Sequence, residues 1–166
     1  MWSRPGGAWP GKEGFMSDFV DASHVFLDNP ATTRDEVLEF IAEKAVELGV
    51  SDDKDAVLKA FQDREAAGST GMVSGFAIPH AKTDAVKSDA NIDVKLANDV
   101  DWGKTQDGEP TRVAVALLVP ASDPTRHLRI LAQVATLIVR DSFRSEIAES
   151  NDAAKIAAAV SAGIDA

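Results

Sequence analysis

Along residues 20–162 the spacing of apolar positions changes repeatedly, and each change marks an element. Val37, Leu38, Ile41, Ala45 and Leu48 recur every three or four residues, the period of a helix with one buried face. Thr33 followed by Glu36 offers a capping box at its start, and Gly49 a stop. Val57, Leu58 and Phe61 predict a second helix that begins at Asp52 or Asp53 and finishes near Arg64 or Ala67, before Gly68. From residue 91 the period drops to two. Ile92, Val94 and Leu96 alternate with Asp93 and Lys95, which predicts a half-buried strand. Residues 112–119 form a nearly continuous apolar run ended by Pro120, the pattern of a central strand covered on both faces. Asp123-Pro124 then caps a helix, with proline in the first turn where its missing N–H does no harm. That helix is predicted to turn Leu128, Leu131, Val134, Ala135 and Ile138 inward and to hold His127 in its first turn. Residues 143–149 and 152–162 complete the chain as short helices, the last capped by Asn151 or Asp152.

Two shorter runs carry less periodicity. Val25-Phe26-Leu27, closed by Asp28-Asn29-Pro30, reads as an edge strand or an extended entry segment. Gly75-Phe76-Ala77-Ile78 runs into Pro79-His80, which reads as a buried strand ended by proline, with the histidine lifted out at the edge beside a cleft. Residues 99–110 are polar, contain Gly103 and Gly108, and form a loop or hairpin anchored by Trp102. Alternating helices and strands around one fully buried strand predict a single α/β domain, a mixed β-sheet flanked by helices on both faces. The domain spans residues 16–166 and its folded part begins near Val20. Residues 1–15, rich in Gly, Pro and Trp and lacking a sustained apolar segment, read as a disordered extension, a tag or a mis-called start ahead of Met16.

Composition narrows the chemistry. A length of 166 residues suits one core rather than two. A net charge of −10 argues against nucleic acid, whose binding needs a basic face. There is no cysteine, so disulfides, thiolate zinc sites and a cysteine nucleophile are excluded. The longest uncharged apolar runs, 113–119 and 130–139, fall well short of the ~20 residues that span a bilayer. A soluble, cytoplasmic protein with no membrane insertion, metal or cofactor is expected.

The chemistry concentrates between Arg64 and Lys82. His24, His80 and His127 are the three histidines, and a lone histidine is more often structural or solvated than catalytic. That reading stands for His24. For His80 the surroundings change it: Ser69, Thr70 and Gly71 make a loop of small and hydroxyl residues whose backbone can approach an anion, and Arg64 precedes it. Taken singly, Arg64 is a cation at a helix C-terminus and the hydroxyls turn the chain. Together with His127 at a helix start, they suit a phosphoryl group carrying a charge of about −1.5 to −2. Histidine, with a reference pKa of ~6.5, is largely neutral near pH 7 and needs no general base. Transfer between imidazoles then rests on position and electrostatics. A hydrolase or metal site built on His80, His127 and Asp84 ranks low, because no motif of the H-E-x-x-H kind supports it.

The stretch Ser69-Thr70-Gly71-Met72-Val73-Ser74-Gly75-Phe76-Ala77-Ile78-Pro79-His80-Ala81 resembles the active-site signature of the enzyme IIA domains of the bacterial phosphoenolpyruvate-dependent sugar phosphotransferase system, fructose/mannitol class. His127-Leu128, followed by Leu131 and Ala135, is similar to that family's second histidine helix, and Arg64 stands where the family has its active-site arginine. Val73 and Phe76 depart from the commonest pattern, which has a small and an aliphatic residue there. The resemblance implies a phosphoryl carrier. His80 would take the group from the phosphohistidine of HPr and pass it to a cysteine of a IIB domain, with Arg64 and His127 holding the oxygens. The wording around His80 is closest to fructose-type members. Without cysteine or an apolar span in these residues, IIB and the membrane component IIC are expected on separate polypeptides. The acidic balance allows docking against a basic carrier. The alternative is a regulatory, nitrogen-type IIA that controls partners through its phosphorylation state.

Overall fold

A computed structural model describes residues 19–164; the predicted extension at residues 1–15 lies outside them. Phe19 and Val20, the first of the described residues, are buried in the core. A short 3-10 turn, Ala22–His24, leads into strand β1 (Val25–Asn29). Helices α1 (Arg34–Glu47) and α2 (Lys54–Ala67) follow, then β2 (Phe76–Ala77), β3 (His80–Lys82), β4 (Ala90–Val100) and β5 (Thr111–Val119). Helices α3 (Pro124–Ile138), α4 (Asp141–Glu149) and α5 (Ala153–Ala162) close the chain.

The helix starts are the ones their caps dictate. Thr33 Oγ1 accepts from Glu36 N and the Glu36 carboxylate accepts from Thr33 N, the reciprocal capping box. Asp53 and Asp123 accept from the third helical N–H of α2 and α3. Asp152, of the two candidates, caps α5.

The sheet is mixed, in the order β1-β4-β5-β2, with β3 also on β5. Strand β1 runs parallel to β4, β4 antiparallel to β5, and β2 and β3 parallel to β5. The run 112–119 is thus an interior strand, and β1 the edge the pattern suggested. Pro79 behaves differently from the expectation. Phe76 pairs with Val113 and His80 with Leu117, so β2 and β3 lie in one register and the strand resumes after the proline. The outer edge needs no N–H from Pro79, while its carbonyl still accepts from Leu117 N at 3.0 Å.

Helices cover both faces. On one, α1 and α2 pack Leu38, Ile41, Val57 and Phe61 against Ile92, Val94, Ala114 and Ala116. On the other, α3, α4 and α5 pack Ile130, Val134, Phe143, Ile147 and Ile156 against Phe76, Ile78, Val113, Val115 and Leu117. This double cover corrects the reading of β4. Asn91 and Asp93 are buried rather than solvated, since the face that carries them lies under helices contributed by the end of the chain. The inward set of α3 also differs. His127, Ile130, Val134, Leu137 and Ile138 face the sheet, and Leu128 is 63% exposed. Both sets fit a helical period, and packing against Val115 and Leu117 selects between them.

Candidate functional site

Residues 76, 78 and 80 point to the face covered by α3, because side chains alternate along a strand and Phe76, Ile78 and their partners Val113, Val115 and Leu117 share one core. His80 therefore meets the first turn of α3. Its ring lies 5.6 Å from that of His127, centre to centre and tilted by 45°. From the opposite side the last turn of α2 delivers Arg64, whose Nε donates to His80 Nε2 at 2.9 Å and whose Nη1 donates to the Gly68 carbonyl at 2.7 Å. Three of the predicted residues, drawn from Arg64 near the end of α2 to His127 in the first turn of α3, are thus gathered at one sheet edge.

The tautomer of His80 follows from its bonds. Nδ1 lies 2.9 Å from the carbonyl oxygen of Ile78, which can only accept, so Nδ1 carries the hydrogen. Nε2 is then the lone-pair nitrogen, and the Arg64 Nε–H that points at it agrees. Burial holds the His80 pKa below its ordinary 6.5, and the Arg64 charge pushes the same way against the Ile78 hydrogen bond. His127 is likewise held below 6.5, by burial first and then by its cationic neighbours, with Asp89 opposing. Its Nδ1 is buried and lacks a hydrogen-bond partner among the described residues. Two neutral imidazoles and one guanidinium make a site that accepts an anion without first releasing a proton.

Ser69, Thr70 and Gly71 line this site, and their polar groups are bonded within the protein. The Glu65 carboxylate accepts from Thr70 N at 3.0 Å and from the Thr70 hydroxyl, which itself accepts from Trp102 Nε1 at 3.0 Å. Ser69 Oγ accepts from Gly71 N at 3.1 Å and donates to the Trp102 carbonyl at 3.3 Å. Glu65 and Trp102, neither singled out as a site residue by sequence, thereby hold the loop in place. Gly71 is required by proximity: a Cβ there would lie 2.5 Å from Thr105 Cγ2. Phe76 turns away from the site into the core, its ring 6.4 Å from that of Phe143.

A hollow opens on either side of the Arg64–His80 pair. One, of about 480 Å³, is walled by Ser69, Met72, Ile78, Lys104, Leu131 and Ala135. The other, of about 670 Å³, is walled by Lys59, Asp63, Lys82, His127, Leu128 and Leu131. Asp84 lines neither. Among the described residues no cluster of three His, Asp or Glu side chains forms a metal-ligand set, and no helix is long and apolar enough to cross a membrane.

Residues 18–162 match the family described as "Phosphoenolpyruvate-dependent sugar phosphotransferase system, EIIA 2". The chain is 33% identical over 135 residues to the PTS system fructose-specific EIIA component of Haloferax volcanii, covering 81% of this chain and 87% of that protein. It is 30% identical over 140 residues to the fructose-specific EIIABC component of Bacillus subtilis, covering 83% of this chain and 22% of that longer one. The crystal structure of the nitrogen regulatory protein IIA-Ntr from Neisseria meningitidis superposes with a TM-score of 0.80 at 25% identity, covering 88% of this chain and 99% of that one.

Proposed function

The chain belongs to the EIIA 2 family of the phosphoenolpyruvate-dependent sugar phosphotransferase system, and on that footing we propose that it carries a phosphoryl group on His80 Nε2, taken from phospho-HPr and passed to a IIB domain for sugar uptake. The observation that carries this reading is the hydrogen bond from His80 Nδ1 to the Ile78 carbonyl, which leaves the Nε2 lone pair facing the hollows. Nε2 attacks the phosphorus, a new N–P bond forms, and the bond to the donor imidazole breaks. As the phosphorus arrives, Arg64 Nε releases the lone pair and the guanidinium turns to the phosphoryl oxygens. His127, whose ring lies 5.6 Å from that of His80, supplies a further donor. Ser69, Thr70 and Gly71 form the wall beside the group, and the half-buried Ser69 hydroxyl is the loop donor nearest to solvent. The EIIABC relative, named for its A, B and C components, supports a IIB and a membrane IIC as downstream partners.

Incubation with phosphoenolpyruvate, enzyme I and HPr is expected to add one acid-labile phosphoryl group. His80→Ala abolishes it, and His127→Ala leaves slower labelling. Full labelling of His80→Ala would sink the proposal. The likeness to IIA-Ntr favours a second reading, a regulator that takes the phosphoryl group and moves no sugar. Adding IIB and IIC with candidate sugars, fructose first, separates the two: the carrier yields a sugar phosphate, the regulator none.

A further inference from the structure

Sulfur is scarce in this chain, and one sulfur atom stands at the site. There is no cysteine, and of the three methionines Met1 and Met16 lie outside the described residues. The third, Met72, is half-buried in the loop between α2 and β2. Its side chain packs on the core that holds Phe76, Ile78 and Val113, and it also lines the hollow of about 480 Å³ together with Arg64, Ser69 and His80. The main chain there is held on both sides. Met72 N donates to the Phe76 carbonyl at 2.8 Å, and the Met72 carbonyl accepts from Gln106 N at 3.3 Å. The exposed Gln106 side chain returns to the same residue, its Nε2 donating to Met72 Sδ at 3.4 Å. A thioether is a weak acceptor, whereas oxidation makes the group polar and its oxygen a strong acceptor. An oxygen added to Sδ would therefore meet a donor already in place, on a residue whose backbone is pinned beside His80.

We propose that Met72 is an oxidation site in the wall of the phosphoryl-accepting hollow, and that conversion of its thioether to the sulfoxide by a hydroperoxide slows transfer to His80. The inference rests on the phosphoryl-carrier reading and adds a regulation of that site. The sulfur lone pair attacks one peroxide oxygen, and an S–O bond forms as the O–O bond breaks. The departing hydroxide takes the proton of the transferred oxygen and leaves as water, so sulfur loses two electrons and the peroxide gains them. With no cysteine in the chain, no thiolate competes for the oxidant. The product replaces a flexible apolar group by a polar one in a wall shared with Ile78, Leu131 and Ala135. Its oxygen carries partial negative charge and faces the space where a phosphoryl group of about −1.5 to −2 is to sit, so the two repel.

The test treats the full chain with hydrogen peroxide, maps the added oxygen by peptide mass, and follows labelling from phospho-HPr. Oxygen is expected on the peptide that carries Met72, and the labelling rate should fall about tenfold in step with it. Methionine sulfoxide reductase with a dithiol restores the rate, which separates this sulfur from irreversible damage elsewhere. Met72→Leu keeps its own untreated rate after peroxide. Met72→Gln, polar without any oxidant, labels slowly from the start; should it fail to fold, the reductase reversal on the parent decides. Oxygen found only on Met1 and Met16 overturns the proposal. So does full labelling after Met72 is oxidised, or a Met72→Leu protein that peroxide slows as much as the parent. Each of these leaves the carrier reading standing, since the untreated chain still takes its label. An untreated chain that takes no label at any HPr concentration overturns the carrier reading, and this inference with it.

Discussion

The sheet buries one carboxylate on each side, and the two are treated in opposite ways. Under α2, Glu65 is 5% exposed and accepts from the Thr70 backbone and hydroxyl, with Arg34 Nη1 at 3.9 Å. Under the C-terminal helices, Asp93 is 1% exposed and accepts only from Asn91 Nδ2 at 2.9 Å, its other oxygen having no partner among the described residues. Glu65 ties the loop carrying Ser69, Thr70 and Gly71 to the helix that carries Arg64, so its bonds serve the site. Asp93 lies in the core away from His80. Burial raises its pKa from 3.8 to about 7, against the opposing Asn91 hydrogen bond. A buried carboxyl with several donors acts as a fastener, whereas one with a single donor keeps its proton to a higher pH than a solvated carboxyl does.

The sharpest way to break this comparison is Glu65→Ala. It leaves the Thr70 N–H and hydroxyl without their acceptor, and a loss of roughly 2–4 kcal/mol in urea unfolding is expected. Slower labelling should accompany it, since the loop beside His80 loses its tie. A loss below about 0.5 kcal/mol would show that the fastener is dispensable.

Asp93 gives the next effect, through pH. Below about pH 4 its carboxyl is protonated in folded and unfolded chains alike. Between about 4 and about 7 the unfolded chain releases the proton and the folded one keeps it, so this group's contribution to stability falls as pH rises and levels off above about 7. Asp93→Asn should remove that slope. Relative to Asp93→Asn, the parent is expected to lose on the order of a few kcal/mol between pH 5 and pH 8, read from urea melts. Parallel profiles would mean that Asp93 is ionised in the fold.

The smallest effect sharpens the site. Desolvation is the first cause of the lowered His80 pKa and the Arg64 charge a lesser one. Arg64→Gln should therefore raise the His80 midpoint in an NMR titration while leaving it below 6.5. A midpoint at or above 6.5 would transfer the dominant role to Arg64. For the parent, both imidazoles should stay neutral as pH falls through 6.5, and stability from these groups should decline only below it, because the unfolded chain protonates first.

Much of this arrangement is legible in the chain. The helix starts at Thr33, Asp53 and Asp123 are written in side chains three residues from the N–H groups they cap, and the run 112–119 announces an interior strand. Arg64, His80 and His127 stand out by residue type and position. Trp102 as a loop anchor is also readable, although its partner Thr70 is not. Pro79 misleads, because proline marks a break locally and only the neighbouring β5 reveals that the register continues. Leu128 misleads for a related reason: the helical period admits two faces, and the sheet beneath α3 chooses one.

By itself, then, the sequence determined most of the elements, their caps and the α/β class, and singled out Arg64, His80 and His127 as candidates, because hydrogen bonds and apolar periods of a few residues are local quantities. The tertiary structure alone decided that Asp93 is buried, that Leu128 is exposed, that His80 bonds through Nδ1 to the Ile78 carbonyl, and that Arg64, His80 and His127 meet at one edge. Each of these depends on groups brought from distant positions, where burial and electrostatic field are properties of the packed whole and not of the neighbouring residues.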